Sequence, residues 1–73
     1  MDRKPKLLDV VALLEDIPER SLKRGQVGTV VEILDPDLFD VEFCDDQGRT
    51  YALLPLRSKQ ILPLYFQSSA EVA

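Results

Sequence analysis

The feature that most constrains this chain is a glycine-containing turn that leads directly into a β-branched segment. Gly25 and Gly28 lie three residues apart, and residues 29–31 read Thr-Val-Val. Glycine has no Cβ, so it can adopt a positive φ or allow another backbone to approach closely. The β-branched residues that follow favour a pleated, half-buried strand. This spacing predicts the first tight corner of a small barrel.

Length and charge narrow the classes of function. The 73 residues suffice for one domain with a thin core. The chain has no histidine and one cysteine, Cys44, which removes the commonest general base and metal ligand and any intramolecular disulfide. Its net charge of −4 disfavours non-specific binding to nucleic acid or anionic membranes. No apolar run is long enough to span a membrane and no secretory signal is recognised, so we expect a cytoplasmic protein.

Hydrophobic periodicity and turn residues divide the chain into short strands. We expect a flexible arm at residues 1–6, a folded domain at 7–64 and a frayed tail at 65–73. The predicted strands are residues 9–15, 27–34, 38–44, 49–54 and 61–64, with one helical turn at 57–60. The clearest pattern is at 38–44, where Phe39, Val41 and Phe43 alternate with Asp40 and Glu42. The first segment is ambiguous, because apolar residues at 7, 10, 11 and 14 also match helical spacing.

These elements predict an all-β fold. The architecture we expect is a small five-stranded SH3-like barrel with a long first loop and a one-turn helix before the last strand. A compact α+β domain, with the first segment helical, is the alternative. The predicted structural turn residues are Gly25, Gly28 and Gly48. Pro55 is expected to end the fourth strand or to place it at a sheet edge.

Two resemblances support this fold. Residues 23–30, KRGQVGTV, resemble the glycine-bearing loop and strand of KOW-type SH3-like barrels, which many ribosomal and transcription proteins carry.

Over residues 8–64 the chain resembles a bacterial, often cyanobacterial, family of very short proteins with a domain of unknown function. The segments that carry this second resemblance are LDVVAL (8–13), DIPE (16–19), LKRGQVGTVVE (22–32), VEF (41–43), GRT (48–50) and LPL (62–64). The family resemblance implies a fold and a bacterial origin, but no site residues. Small genes of this kind often lie beside toxin-like partners, so it also suggests an antitoxin or immunity role.

An acidic strand and hairpin form the first candidate site. The candidate partner-binding residues are Asp40, Glu42, Asp45 and Asp46. They could attract another protein that is basic or toxin-like, or they could form an ordinary solvated face and turn. The hairpin lacks the spaced carboxylates of a calcium loop, so we predict no metal and no cofactor.

A basic group in the first loop is the alternative site. In a KOW-like nucleic-acid-binding module, Arg20, Lys23 and Arg24 would contact phosphates. Such a module also needs exposed aromatic rings, for which only Tyr51 and Tyr65 qualify. The alternative account is solubilising loop charge, and we expect nucleic acid not to be the partner.

The residues offer little chemistry for an enzyme. The candidate hydroxyl nucleophiles have no histidine to activate them. Cys44 would need a neighbouring cation to activate its thiol, and the charges near it in the sequence are acidic. The sequence therefore predicts a non-catalytic protein-interaction module. Self-association through an uncovered strand edge is a further expectation, because a thin core gains from an oligomer.

Overall fold

One antiparallel sheet of five strands makes up the fold. The computed structural model describes residues 4–64. The strands are β1 (Val10–Leu13), β2 (Val27–Asp35), β3 (Leu38–Cys44), β4 (Thr50–Arg57) and β5 (Ile61–Leu64), with single 3₁₀ turns at Pro18–Arg20 and Ser58–Gln60. Their order across the sheet is β4-β3-β2-β1-β5. The predicted all-β class with five strands is confirmed, and over residues 4–64 the α+β alternative is wrong. Membership of the SH3-like barrels stays a prediction.

Alternation along the strands produces a single apolar core. The buried side chains are Val11, Leu13, Ile17, Leu22, Val30, Phe39, Val41, Phe43, Ala52, Leu54, Leu56 and Ile61. In β3 and β4 every second residue is buried, as a half-buried sheet requires. Ile17 and Leu22 come from the long first loop, where the backbone N–H of Ile17 donates to the carbonyl of Leu22 at 2.8 Å. This pairing lets an irregular loop contribute to the core.

The three glycines predicted as turn residues have two different roles: Gly25 and Gly48 lie between strands, whereas Gly28 lies within strand β2 rather than in a turn. Gly25 and Gly48 have φ values of +93° and +81°, which side chains with a Cβ rarely adopt. Gly28 instead permits a close approach. A Cβ on Gly28 would lie 2.8 Å from the Glu42 carbonyl oxygen and from Val41 Cγ1, and 2.9 Å from Phe43 Cε2. The absent side chain is therefore what lets β3 and the Phe43 ring lie against β2.

The strand bounds differ from the prediction by more than one residue in β1 and β4. β1 covers residues 10–13 rather than 9–15, because the chain turns at residues 7–8 and bends at residues 14–15. β4 continues through Pro55 to Arg57, three residues beyond the predicted end. Pro55 pairs with Asp40 of β3, and β4 is an edge strand, so the missing N–H of Pro55 interrupts no second ladder. Pro55 therefore lies in an edge strand, which was the second of the two expectations, and does not end β4.

The segment before β1 contacts the sheet. Pro5 is buried, and the backbone N–H of Leu8 donates to the carbonyl of Val30 at 2.7 Å. Leu8 has a φ of +71° and a side chain that is 69% exposed. Residues 1–3 of the predicted arm and the predicted tail at 65–73 lie outside the described residues. No helix found in residues 4–64 is long and apolar enough to cross a membrane.

Candidate functional site

The outer surface of β3 carries the first two candidate residues. Asp40 and Glu42 alternate with the buried residues Phe39, Val41 and Phe43, so their carboxylates point away from the core. Both side chains are half-buried among neighbouring strands rather than fully exposed. The structure thus brings these two predicted residues together on one face of the sheet.

Glu32 adds a third carboxylate to this face, and it was not among the residues predicted from the sequence. Glu32 of β2 lies directly opposite Asp40 because the β2–β3 register shifts between residues 30 and 32. Without that bulge, Val31 would oppose Asp40, and Glu32 would oppose Phe39 on the core side. In the sequence, the only sign of this bulge is that apolar and polar residues stop alternating at Val30-Val31-Glu32-Ile33. We call Glu32, Asp40 and Glu42 the acidic face.

Neighbouring strands hold Glu42 between a hydroxyl and an apolar side chain. It lies opposite Thr29 of β2 and opposite Leu53 of β4. The hydroxyl of Thr50 donates to Glu42 Oε2 at 2.5 Å. Leu53 is 48% exposed, so an uncovered apolar surface adjoins the acidic face. The Thr50 hydrogen bond fixes the Glu42 carboxylate in place and leaves Asp40 and Glu32 as the less constrained members.

The two hairpin candidates have different surroundings. Asp45 Oδ1 accepts hydrogen bonds from the backbone N–H groups of Gln47 and Arg49, both at 2.9 Å, and Asp45 Oδ2 lies 3.3 Å from Arg49 Nε. The carboxylate of Asp45 is therefore used to build the turn. Asp46 is exposed beside it. The hairpin borders an open depression of about 390 Å³ lined by Cys44, Asp45, Asp46, Gln47, Arg49 and Tyr51.

Asp37, in the turn between β2 and β3, also has a structural role. Ser58 donates both its hydroxyl and its backbone N–H to Asp37 Oδ1, the latter at 3.2 Å. The Ser58 hydroxyl is the main reason that the pKa of Asp37 lies below its ordinary value of 3.8. This contact ties the β2–β3 turn to the 3₁₀ turn before β5.

The basic group of the first loop is partly committed to the fold. Arg20 Nη2 donates to the carbonyl oxygen of Leu53 on β4 at 3.2 Å. Lys23 and Arg24 are exposed, and the backbone N–H of Arg24 donates to Asp16 Oδ1 at 2.8 Å. Arg20 is thus held against β4, whereas Lys23 and Arg24 lie exposed near the carboxylate of Asp16. Of the two aromatic rings expected to be exposed, Tyr51 is 49% exposed, and its hydroxyl accepts a 2.8 Å hydrogen bond from Gln26 Nε2. Tyr65 lies outside the described residues.

The charges of the acidic face are not compensated locally. Within residues 4–64, the structure has one ion pair, between Arg49 and Asp45. Neither Glu32, Asp40 nor Glu42 has a cationic group of that part of the chain within 4.0 Å. In the same residues, no three His, Cys, Asp or Glu side chains are grouped so as to hold a metal ion. The face is thus a negative surface on the outer side of the sheet.

Comparison with known proteins identifies the family of the chain. A family model described as a domain of unknown function, DUF4926, matches residues 7–63. The chain belongs to the DUF4926 family. The match covers β1 to β4 and all but the last residue of β5, so the family's shared sequence pattern coincides with the fold described here. Neither a curated protein nor a solved structure matches the chain.

Proposed function

We propose that this DUF4926 domain is a non-catalytic interaction module that binds a basic protein through its acidic face. The observation that carries the proposal is the Glu32–Asp40 pair, in which two carboxylates face each other across adjacent strands. Like charges at such positions destabilise a sheet by roughly 0.2–1 kcal/mol. No cationic group in residues 4–64 lies within 4.0 Å of either carboxylate, so no ion pair within the fold offsets this repulsion. A cationic partner would relieve the repulsion and gain from both charges.

Binding then proceeds in two steps. The chain's net charge of −4 and the acidic face attract a basic partner over distances of about 8–10 Å at physiological salt. Close contact follows on Leu53, which adjoins Glu42 and is half exposed. Asp46 at the hairpin tip extends the negative surface, while Asp45 keeps the tip in shape. Charge supplies the rate and orientation of the encounter, and the apolar neighbour supplies contact area.

The partner we propose is the product of a neighbouring bacterial gene, with the DUF4926 domain acting in the cytoplasm as its antitoxin or immunity partner. Two features support a companion role over a catalytic one. The chain has no histidine, and its acidic side chains lie on an open sheet surface rather than in an enclosed cleft. A small rigid domain with a charged face is suited to covering a surface of another protein.

Single charge reversals test the proposal. Asp40→Lys changes the acidic face, and Glu19→Lys makes the same charge change on the exposed 3₁₀ turn at Pro18–Arg20. At low salt we expect Asp40→Lys to slow association with the purified neighbouring-gene product about tenfold, and Glu19→Lys to slow it less than twofold. Stopped-flow association kinetics measures both variants. The double reversal Asp40→Lys with Glu42→Lys should slow association further, although it also removes the Thr50 hydrogen bond.

Two results would contradict the proposal. Equal effects of Asp40→Lys and Glu19→Lys would show that only net charge matters and that the acidic face is not the contact surface. Salt-dependent binding to single-stranded RNA that is lost on replacing Lys23 and Arg24 with alanine would instead support the nucleic-acid alternative.

A further inference from the structure

The outer edge of β4 is one of the two ends of the sheet. β4 forms a ladder with β3 alone. In an antiparallel pair, every second residue directs both its N–H and its C=O towards the partner strand, and the residues between them direct theirs outward. Pro55 has no N–H and fits where its nitrogen points outward, so residues 53, 55 and 57 form the outward set. An edge strand with free outward groups readily pairs with a strand of another chain.

Each of the three outward positions is closed in a different way. Pro55 has no N–H to donate. The backbone N–H of Arg57 donates to Gln60 Oε1 at 2.8 Å, within the 3₁₀ turn that follows β4. The carbonyl of Leu53 accepts the hydrogen bond from Arg20 Nη2 at 3.2 Å. The first two closures are built from β4 and the turn directly after it, whereas the third comes from a residue 33 positions away in the chain.

The first loop, residues 14–26, supplies this third closure and lies against β4 at two points. Ile17 and Leu22 are buried, one on each side of Arg20 in the chain, so they anchor the loop to the core. At the end of the loop, Gln26 Nε2 donates to the Tyr51 hydroxyl at 2.8 Å. In residues 4–64, these are the two hydrogen bonds between the loop and β4. The loop therefore covers the edge of β4 at residues 51 and 53.

We propose that the first loop covers a latent strand-pairing edge on β4, and that Arg20 is the residue that keeps this edge closed. The guanidinium places a charge on the carbonyl with which another strand would have to pair. An incoming strand would bury that charge or displace it, and both oppose pairing. The self-association through a strand edge that the sequence predicts is therefore suppressed while Arg20 is in place. This cover is separate from the acidic face and goes beyond the function proposed above.

The edge that opens without Arg20 is short. β4 has five residues before Pro55, residues 50–54, which span roughly 17 Å at about 3.4 Å per residue. Pro55 prevents the ladder from extending further along the strand. Two copies can join through residues 50–54 as an antiparallel pair with few hydrogen bonds. We therefore expect uncovered copies to associate reversibly rather than to form a permanent dimer.

Sedimentation equilibrium of the full chain tests the proposal. Arg20→Met keeps an unbranched side chain and removes the charge and the N–H donors. At about 100 μM the wild type should keep a mean mass of 8.3 kDa, and that of Arg20→Met should rise towards twice this value. Arg24→Met is the matched control, because Arg24 is exposed in the same loop and its side chain does not contact β4; its mean mass should match the wild type. Each substitution changes the net charge from −4 to −5, so charge repulsion alone predicts weaker association for both.

A second substitution locates the association on the edge. Leu53→Pro removes the outward N–H of residue 53, as Pro55 does two residues later, and leaves the ladder with β3 intact. Combined with Arg20→Met, it should restore the mass of the monomer. Leu53→Lys is the milder form if Leu53→Pro fails to fold, since an edge lysine also opposes pairing. Arg20→Gln replaces Arg20→Met if circular dichroism shows that Arg20→Met is unfolded.

Three outcomes would overturn the proposal. A mean mass of Arg20→Met equal to that of the wild type would show that Arg20 does not close the edge. Equal association of Arg20→Met and Arg24→Met would show that any loss of positive charge from the loop has the same effect. Association of Arg20→Met that persists with the second substitution in Leu53 would place the contact elsewhere. Binding of the neighbouring-gene product by Arg20→Met tests the acidic face separately, and that binding should match the wild type.

Discussion

Replacing Gly28 with alanine should destabilise the domain more than the same change at Gly25. At Gly28, the new Cβ would lie 2.8 Å from both the Glu42 carbonyl oxygen and Val41 Cγ1. Carbon atoms normally pack at about 3.5–4.0 Å, so β3 or the Phe43 ring must move by roughly 0.7 Å. Overpacking of this kind costs about 1–3 kcal/mol, and the backbone oxygen cannot rotate aside. After subtracting the gain of about 0.4–1 kcal/mol that comes from the stiffer unfolded chain, we expect a net loss of about 1.5 kcal/mol.

Gly25→Ala is the matched control, because no atom lies within 4 Å of its new Cβ and only the φ of +93° opposes the substitution. That conformation costs about 1–2 kcal/mol, which the unfolded-chain term reduces to about 0.5–1 kcal/mol. Urea denaturation should therefore show the larger drop in midpoint for Gly28→Ala, with an unchanged slope. In a thermal scan the unfolding midpoint of Gly28→Ala should fall by about 6–12 °C. A loss for Gly28→Ala no larger than that for Gly25→Ala would refute the close-approach argument.

Two further changes test other parts of the fold. The pKa of Asp37 is lowered in the folded state, so its contribution to stability is complete above the ordinary value of 3.8 and declines as the pH falls through the folded pKa. Ser58→Ala should make acid unfolding, followed by urea midpoints between about pH 5 and pH 2, less steep, and an unaltered profile would contradict the contact. Leu8→Gly should raise stability by about 0.5–1 kcal/mol, because it relieves about 1–2 kcal/mol of left-handed strain at a cost of about 0.5–1 kcal/mol in chain entropy. A lower midpoint for Leu8→Gly would show that the exposed leucine makes a stabilising contact.

Strict alternation made part of the fold predictable. β3 has its predicted bounds because Phe39, Val41 and Phe43 mark every second position without interruption. β5 also has its predicted bounds. Its start was predictable because the polar residues of the preceding 3₁₀ turn end at Gln60, directly before the apolar residues of the strand. The strand interpretation of the first segment was correct, although apolar spacing alone also allowed a helix. Local pattern suffices where one face of a strand is buried along its whole length.

Register and hydrogen-bond roles could not be predicted. The bulge at Val31 decides whether Glu32 faces the core or lies beside Asp40, and it results from the pairing of two strands rather than from either sequence alone. The same limit applies to Asp45, whose carboxylate is used within the turn, and to Arg20, whose guanidinium reaches across to β4. Such roles depend on where distant segments meet. The candidate site therefore keeps the predicted residues Asp40, Glu42 and Asp46. Glu32 is added to them, and Asp45 has a structural role in the turn.

The outer face of β2 and β3 carries the proposed contact surface. The acidic face has uncompensated carboxylates and adjoins Leu53. Gly25 and Gly28 contribute to it only indirectly, by turning the chain into β2 and by letting β3 approach it. The glycine turn that dominates the sequence therefore positions the strands, and we propose that the acidic face binds.

The most direct test of the central claim is an NMR titration of the labelled DUF4926 domain with the unlabelled neighbouring-gene product. We expect the largest amide shift changes at Glu32, Asp40, Glu42 and Leu53, and these changes should disappear as salt is added. Changes confined to residues 20–26 of the first loop, with the acidic face unaffected, would contradict the proposal.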